Sequence, residues 1–161
     1  MTSTNLSSKK SIKIPNFTPW AFLAVSFLGF LDATYLTAEH YLVEVPLCPL
    51  FGGCEKVLTS QYATVLGIPL GLLGMIYYLT VLILTIFYLD TKRTNPLKIA
   101  AFLSIVGIIT SLVLLYLQIF VIGALCLYCL ISAGSSIILF ALGVTVFHFL
   151  QRKGINSETP S

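Results

Sequence analysis

Residues 57–89 and 99–151 contain no Asp, Glu, Lys or Arg. An earlier apolar stretch begins near Phe17 and continues past a lone Asp32. A helix that crosses a bilayer needs about 20 mainly apolar residues. The pattern predicts a first span over roughly 18–42 and a second over roughly 66–89. The 53 residues of 99–151 are too many for one span. At about 1.5 Å per residue they would reach about 80 Å, against a hydrocarbon core of about 30 Å. The chain must reverse inside them, and Gly123 suits a tight reversal because it tolerates dihedrals that other residues avoid. This predicts a third span over 97–121 and a fourth over 126–149. The expected fold is an all-α integral membrane protein, with residues 1–161 as one four-helix bundle and polar tails at 1–14 and 151–161.

Composition agrees with this reading. The chain is 57% hydrophobic and only 9% charged, where soluble domains carry about 25% charged residues. That excludes an ordinary water-soluble globule, and nothing in it points to a nucleic-acid partner. The first apolar stretch is too long for a signal peptide, holds Asp32 and lacks a small-residue cleavage site.

The placement of charge sets an expected orientation. Lys9, Lys10, Lys13, Lys92, Arg93, Lys98, Arg152 and Lys153 are eight of the nine basic residues, and four spans put them all on one side. The other side holds Lys56 with Glu39, Glu44 and Glu55. Basic loops favour the cytoplasm, so both termini are expected there, in a cell membrane crossed four times. The loop between the first two spans then faces away from the cytoplasm.

The four cysteines fall on that outer side. Cys48 and Cys54 lie in the first outer loop, within "PLCPLFGGCEKVLTS", and Cys126 and Cys129 form "CLYC" at the start of the fourth span. Disulfides form and persist in such compartments. Residues three apart share a helix face. The positive end of a helix favours thiolate, and two-residue spacing is common among redox-active pairs. A zinc site would need all four cysteines or histidine help, and His40 and His148 lie on opposite sides of the predicted topology. No metal is expected. Gly52 and Gly53 allow the Cys48 loop to close or flex. One pair alone reads equally well as a static staple. Two pairs on one surface favour dithiol–disulfide exchange between them. The inner pair sits among Leu125, Leu127, Tyr128 and Leu130, and no flavin or nicotinamide motif is visible. A lipid-dissolved quinone, ubiquinone or menaquinone, is the expected electron acceptor.

Several features together resemble the vitamin K epoxide reductase family, in its short bacterial form. They are Cys48 with Cys54, Ser60 six residues after Cys54, "GIPLGLLGMIYY" at 67–78, and "CLYC" opening the last span. The resemblance covers roughly 18–149. It implies that Cys48 takes electrons from a reduced partner, Cys54 passes them to Cys126, and Cys129 faces and reduces the quinone. It implies that Ser60 hydrogen-bonds a quinone oxygen; read alone, Ser60 is a cap or turn residue. The expected activity is a thiol:quinone oxidoreductase supporting disulfide formation in secreted proteins. The family's mammalian enzymes carry an asparagine in the second span, and residues 66–89 contain none; quinone reduction is therefore expected rather than epoxide reduction. No thioredoxin-like domain follows Arg152 and Lys153, so the expected partner is a separate extracytoplasmic thioredoxin-fold oxidase. The alternative is a non-enzymatic membrane scaffold with two inert disulfide staples. A second quinone-linked family places its CxxC in the first outer loop, unlike this chain.

Other residues carry weaker signals. Asp32 is an ionisable group inside a span, read either as functional or as a packing hydrogen-bonder. Gly67, Gly71 and Gly74 have the small-residue spacing that brings helices together, and Pro69 suits a first helical turn.

Overall fold

The computed structural model describes residues 17–42, 53–65, 67–92 and 94–155. Its elements are α1 (Phe17–Leu42), a short α2 (Cys54–Leu58), β1 (Thr64–Val65), β2 (Ile68–Pro69), α3 (Leu70–Thr91), α4 (Thr94–Tyr116) and α5 (Leu127–Ile155). A wider helical turn, Leu117–Ile122, extends α4. Four helices, α1, α3, α4 with its extension, and α5, are long and apolar enough to cross a membrane. This is the all-α, four-helix membrane architecture that the apolar runs predict. The Cys48 loop and the terminal segments 1–14 and 156–161 lie outside the described residues.

The helices form a closed ring. α1 packs on α3 and α5, and α4 packs on the same two. Each helix turns one stripe inward. Along α1 that stripe is Phe22, Ser26, Gly29, Ala33 and Leu36, and along α3 it is Tyr78, Val81, Thr85 and Tyr88, both at helical spacing. Large side chains such as Phe27, Leu31, Ile83, Phe87, Phe102 and Ile109 point outward and are exposed. In water so broad an apolar face would drive association; in a bilayer it meets lipid.

Lipid tails are as apolar as leucine, so helix association rests on close packing and buried hydrogen bonds. Small residues supply the close approach. A Cβ on Gly71 would lie 2.9 Å from Thr37 Oγ1, one on Gly74 would lie 3.5 Å from the Ala33 Cβ, and one on Gly29 would strike the Tyr78 ring. These pairings run in opposite directions along the two helices, which makes α1 and α3 antiparallel. On the other side of the ring, a Cβ on Gly143 would lie 2.6 Å from Ser104 Oγ. Tyr78 then crosses the bundle. Its hydroxyl donates to the Ser132 carbonyl at 2.9 Å and meets the Ser132 and Ser136 hydroxyls at 3.1 and 3.2 Å, all on α5.

Three local features differ from the pattern-based expectation. α3 starts at Leu70 rather than 66, because Thr64–Val65 pairs antiparallel with Ile68–Pro69 around Gly67. Gly67 therefore packs no helix; its φ of 80° turns that hairpin, a conformation glycine adopts without strain. The last helix continues as far as Ile155, past the expected start of the polar tail at 151. The reversal at Gly123 is where the apolar run requires it. Gly123 has φ 63°, and its N–H and that of Ala124 both fold back on the Gln118 carbonyl.

Gly29→Ala must displace the Tyr78 ring and its bonds to α5, so it is expected to cost about 1–3 kcal/mol. Gly134→Ala, on α5 with nothing within 4 Å of the added Cβ, is expected to be neutral or to stabilise by up to about 1 kcal/mol. Thermal unfolding of the two variants in detergent checks the contrast.

Candidate active site: a dithiol beside an apolar cavity

The end of α1, the start of α3, the end of α4 and the start of α5 meet at one end of the bundle. Between them lies a cavity of about 330 Å³. Its walls are mainly apolar, from Leu36, Val57, Leu73, Val106, Leu114 and Ile122. A few polar groups face it, among them Ser60, Tyr77, Gln118 and Cys129. An apolar hollow with few converging polar groups has the ordinary form of a small-molecule site.

The CxxC pair sits at the mouth of α5. Leu127 is the first helical residue, and the Cys126 carbonyl accepts the first helical hydrogen bond, from Leu130 N–H at 3.1 Å. Cys126 therefore occupies the N-cap and Cys129 the third helical position. A helix start leaves its first N–H groups without partners, and a cap side chain normally takes one or two of them. Here sulfur does so: the Cys126 Sγ accepts from the backbone N–H of Tyr128 and of Cys129. The Cys129 thiol donates to the same sulfur. That bond, with the two backbone donors, pulls the Cys126 thiol down to about 7, although burial and the Asp32 charge push the other way. Both cysteines carry free thiols in this structure.

Gln118 holds this turn in place. Its side-chain Oε1 accepts from the Cys126 N–H at 3.1 Å, and the same amide reaches Cys129. Sequence reasoning missed it. The available signal was its being the only amide side chain between residues 97 and 150, a costly group in an apolar span unless hydrogen-bonded. The Tyr77 and Tyr78 hydroxyls were also missed, because aromatic residues in a span read as packing.

Cys126 is fully buried. Val57 of α2 joins it in a small buried cluster, flanked by Leu58, Ile122, Ala124, Tyr128 and Cys129. Gly53 caps the start of α2, its carbonyl accepting from Val57 N–H at 3.1 Å. A Cβ on Gly53 would lie 2.6 Å from the Leu125 carbonyl oxygen and 3.1 Å from its nitrogen. The backbone just before Cys54 is thus pressed against the backbone just before Cys126. The first cysteine, Cys48, falls outside the described residues, as does the side chain of Cys54.

Ser60 lies on the cavity wall together with Cys129. Its hydroxyl donates to the Val57 carbonyl at 2.7 Å, closing the turn after α2. It is thus a turn residue and a cavity residue at once. Asp32, in α1, is near enough for its charge to act on Cys126, Cys129 and Tyr78. Its Oδ2 is buried without a hydrogen-bond partner among the described residues. No cluster of three His, Cys, Asp or Glu able to hold a metal occurs among the described residues.

Fold and site together define a multi-pass membrane protein with a helix-borne dithiol beside an apolar cavity. The model of the vitamin K epoxide reductase family matches residues 20–144. The thiol-disulfide oxidoreductase LTO1 of Arabidopsis thaliana is 32% identical over 122 residues, covering 71% of this chain and 32% of that relative. The chain thus spans about a third of the length of the curated relative it matches. It belongs to the vitamin K epoxide reductase family.

A thiol held near 7 is about half ionised at neutral pH, and only the thiolate reacts. In the reduced protein, labelling of Cys126 by methyl methanethiosulfonate, mapped by mass spectrometry, is expected to rise with pH through a midpoint near 7. Cys129→Ala removes the largest cause of the depression and is expected to move that midpoint upward.

Proposed function

We propose that this chain is a membrane thiol:quinone oxidoreductase that generates disulfides. One observation carries the reading: Cys129 and Ser60 line one apolar cavity, while Cys126, on the same turn as Cys129, is buried beneath the segment that begins at Cys54. A fully buried sulfur is out of reach of a folded external protein. Electrons bound for Cys126 must arrive through a thiol carried by the segment covering it, and Cys54 stands at the start of that segment.

The exchange then runs in order. A dithiol on a thioredoxin-fold partner attacks the Cys48–Cys54 disulfide and leaves as a disulfide. Cys54 thiolate attacks Cys126 of the Cys126–Cys129 disulfide, releasing Cys129 as thiolate into the cavity. Cys48 thiolate then attacks Cys54 of the resulting Cys54–Cys126 disulfide. The depressed pKa of Cys126 makes it a good leaving sulfur, so the Cys48–Cys54 disulfide is restored and Cys126 and Cys129 are left as a dithiol. A quinone in the cavity supplies the electron-accepting chemistry: it takes two electrons and two protons from that dithiol, whose Cys126–Cys129 disulfide forms again, and departs as hydroquinone. Ser60, its proton given to the Val57 carbonyl, accepts a hydrogen bond from the hydroquinone O–H. Ubiquinone or menaquinone fits the apolar walls. The charge pattern supports both termini in the cytoplasm and the thiols outside, in a cell membrane. The absence of asparagine from residues 66–89 supports plain quinone reduction over epoxide reduction.

Purified protein supplied with a reduced thioredoxin-fold protein or dithiothreitol is expected to reduce a soluble ubiquinone analogue, followed by the loss of quinone absorbance. Cys129→Ser is expected to bring turnover down to the enzyme-free background. Undiminished activity in that variant, or no mixed disulfide with any thiol partner, would overturn the assignment in favour of inert staples.

A further inference from the structure

The Tyr77 hydroxyl is buried and has no hydrogen-bond partner among the described residues. Tyr77 itself is among the residues that line the cavity shared by Cys129 and Ser60. Burying a hydroxyl unpaired is costly, and native structures keep few such groups without a reason. We propose that Tyr77 donates a hydrogen bond to a carbonyl oxygen of the quinone, an inference that rests on the function proposed above.

The ring is held in place for that task. It packs edge-on against Tyr78, with centroids 5.0 Å apart and planes at 70°. Its hydroxyl abuts Gly107 of α4, where a Cβ would collide with the oxygen and lie 2.7 Å from Cζ. Glycine at 107 thus leaves the notch that the phenol occupies. Two neighbouring hydroxyls on the cavity wall are engaged elsewhere. Ser60 donates to the Val57 carbonyl, and Tyr78 donates to the Ser132 carbonyl.

Donor and acceptor needs match. An oxidised quinone offers carbonyl oxygens with lone pairs and no proton, so it needs donors. Ser60 as placed can accept but has no free proton, whereas Tyr77 has one to give. When the dithiol reduces the quinone, negative charge gathers on those oxygens, and a preset donor binds that charge more strongly than it binds the neutral carbonyl. Tyr77 therefore binds the neutral quinone carbonyl and holds it more strongly as charge gathers during electron transfer, while Ser60 accepts from the hydroxyl of the product.

The test uses the full chain in detergent, with dithiothreitol as reductant and a ubiquinone analogue labelled with carbon-13 at its carbonyls. In the wild type, the carbonyl infrared band of the bound quinone is expected to lie below that of free quinone. Tyr77→Phe removes one oxygen atom and is expected to raise that frequency and to raise KM about tenfold, the equivalent of one hydrogen bond. Gly107→Ala fills the notch and is expected to produce the same two changes, and the double variant to add nothing beyond either single one. An unshifted band and unchanged KM in Tyr77→Phe, with the wild type active, would show that only water meets this hydroxyl and would overturn the inference alone. A wild type that reduces no quinone would instead overturn the function on which it rests.

Discussion

One buried phenol ties the bundle together. Tyr78 projects from α3 into space left by Gly29 on α1 and hydrogen-bonds across the ring to Ser132 and Ser136 on α5. In lipid no hydrophobic gain draws helices together, so contacts of this kind decide which faces meet. The neighbouring ring, Tyr77, packs on Tyr78 and reaches Gly107 on α4. Two adjacent aromatic residues on one helix therefore touch the other three. They also form one wall of the cavity, so the contact that sets the register of the bundle also shapes the pocket.

Register matters because the thiols sit at the end of a helix. Cys126 caps α5 with sulfur where serine or aspartate would ordinarily cap with oxygen. The backbone donors that a helix start leaves over become donors to a thiolate, and fold and reactivity share the same hydrogen bonds. Gln118 anchors the other side of that turn by taking the Cys126 N–H. The wider turn at Leu117–Ile122 and the left-handed Gly123 carry the chain from α4 back to the cap. The hydrogen bonds of this turn thereby favour the thiolate of Cys126.

Much of this was legible along the chain. The count of four spans follows from the cost of charge in lipid, residue by residue, which leaves 57–89 and 99–151 uncharged. The reversal at Gly123 follows from span length. The family was visible in the order of cysteine pair, serine and CxxC. What misled was short-range ambiguity. Gly67 has the same spacing to Gly71 as a helix-packing glycine, yet a two-residue strand pair claims it for a turn. Ser60 admitted two readings, and it holds both places: its hydroxyl proton closes the turn after α2, and the residue lines the cavity.

By itself, then, the sequence determined the helices, the turn and the spacing of the thiols, because transfer free energy, glycine dihedrals and helical periodicity act over a few residues. Only the tertiary structure decided that the backbone before Cys54 rests on the backbone before Cys126. It also decided that Gln118 braces the cap and that the hydroxyl of Tyr77, a residue of the cavity wall, is buried without a partner among the described residues. Those outcomes depend on which atoms are brought together from helices tens of residues apart, and close packing across the ring, rather than any local preference, selects them.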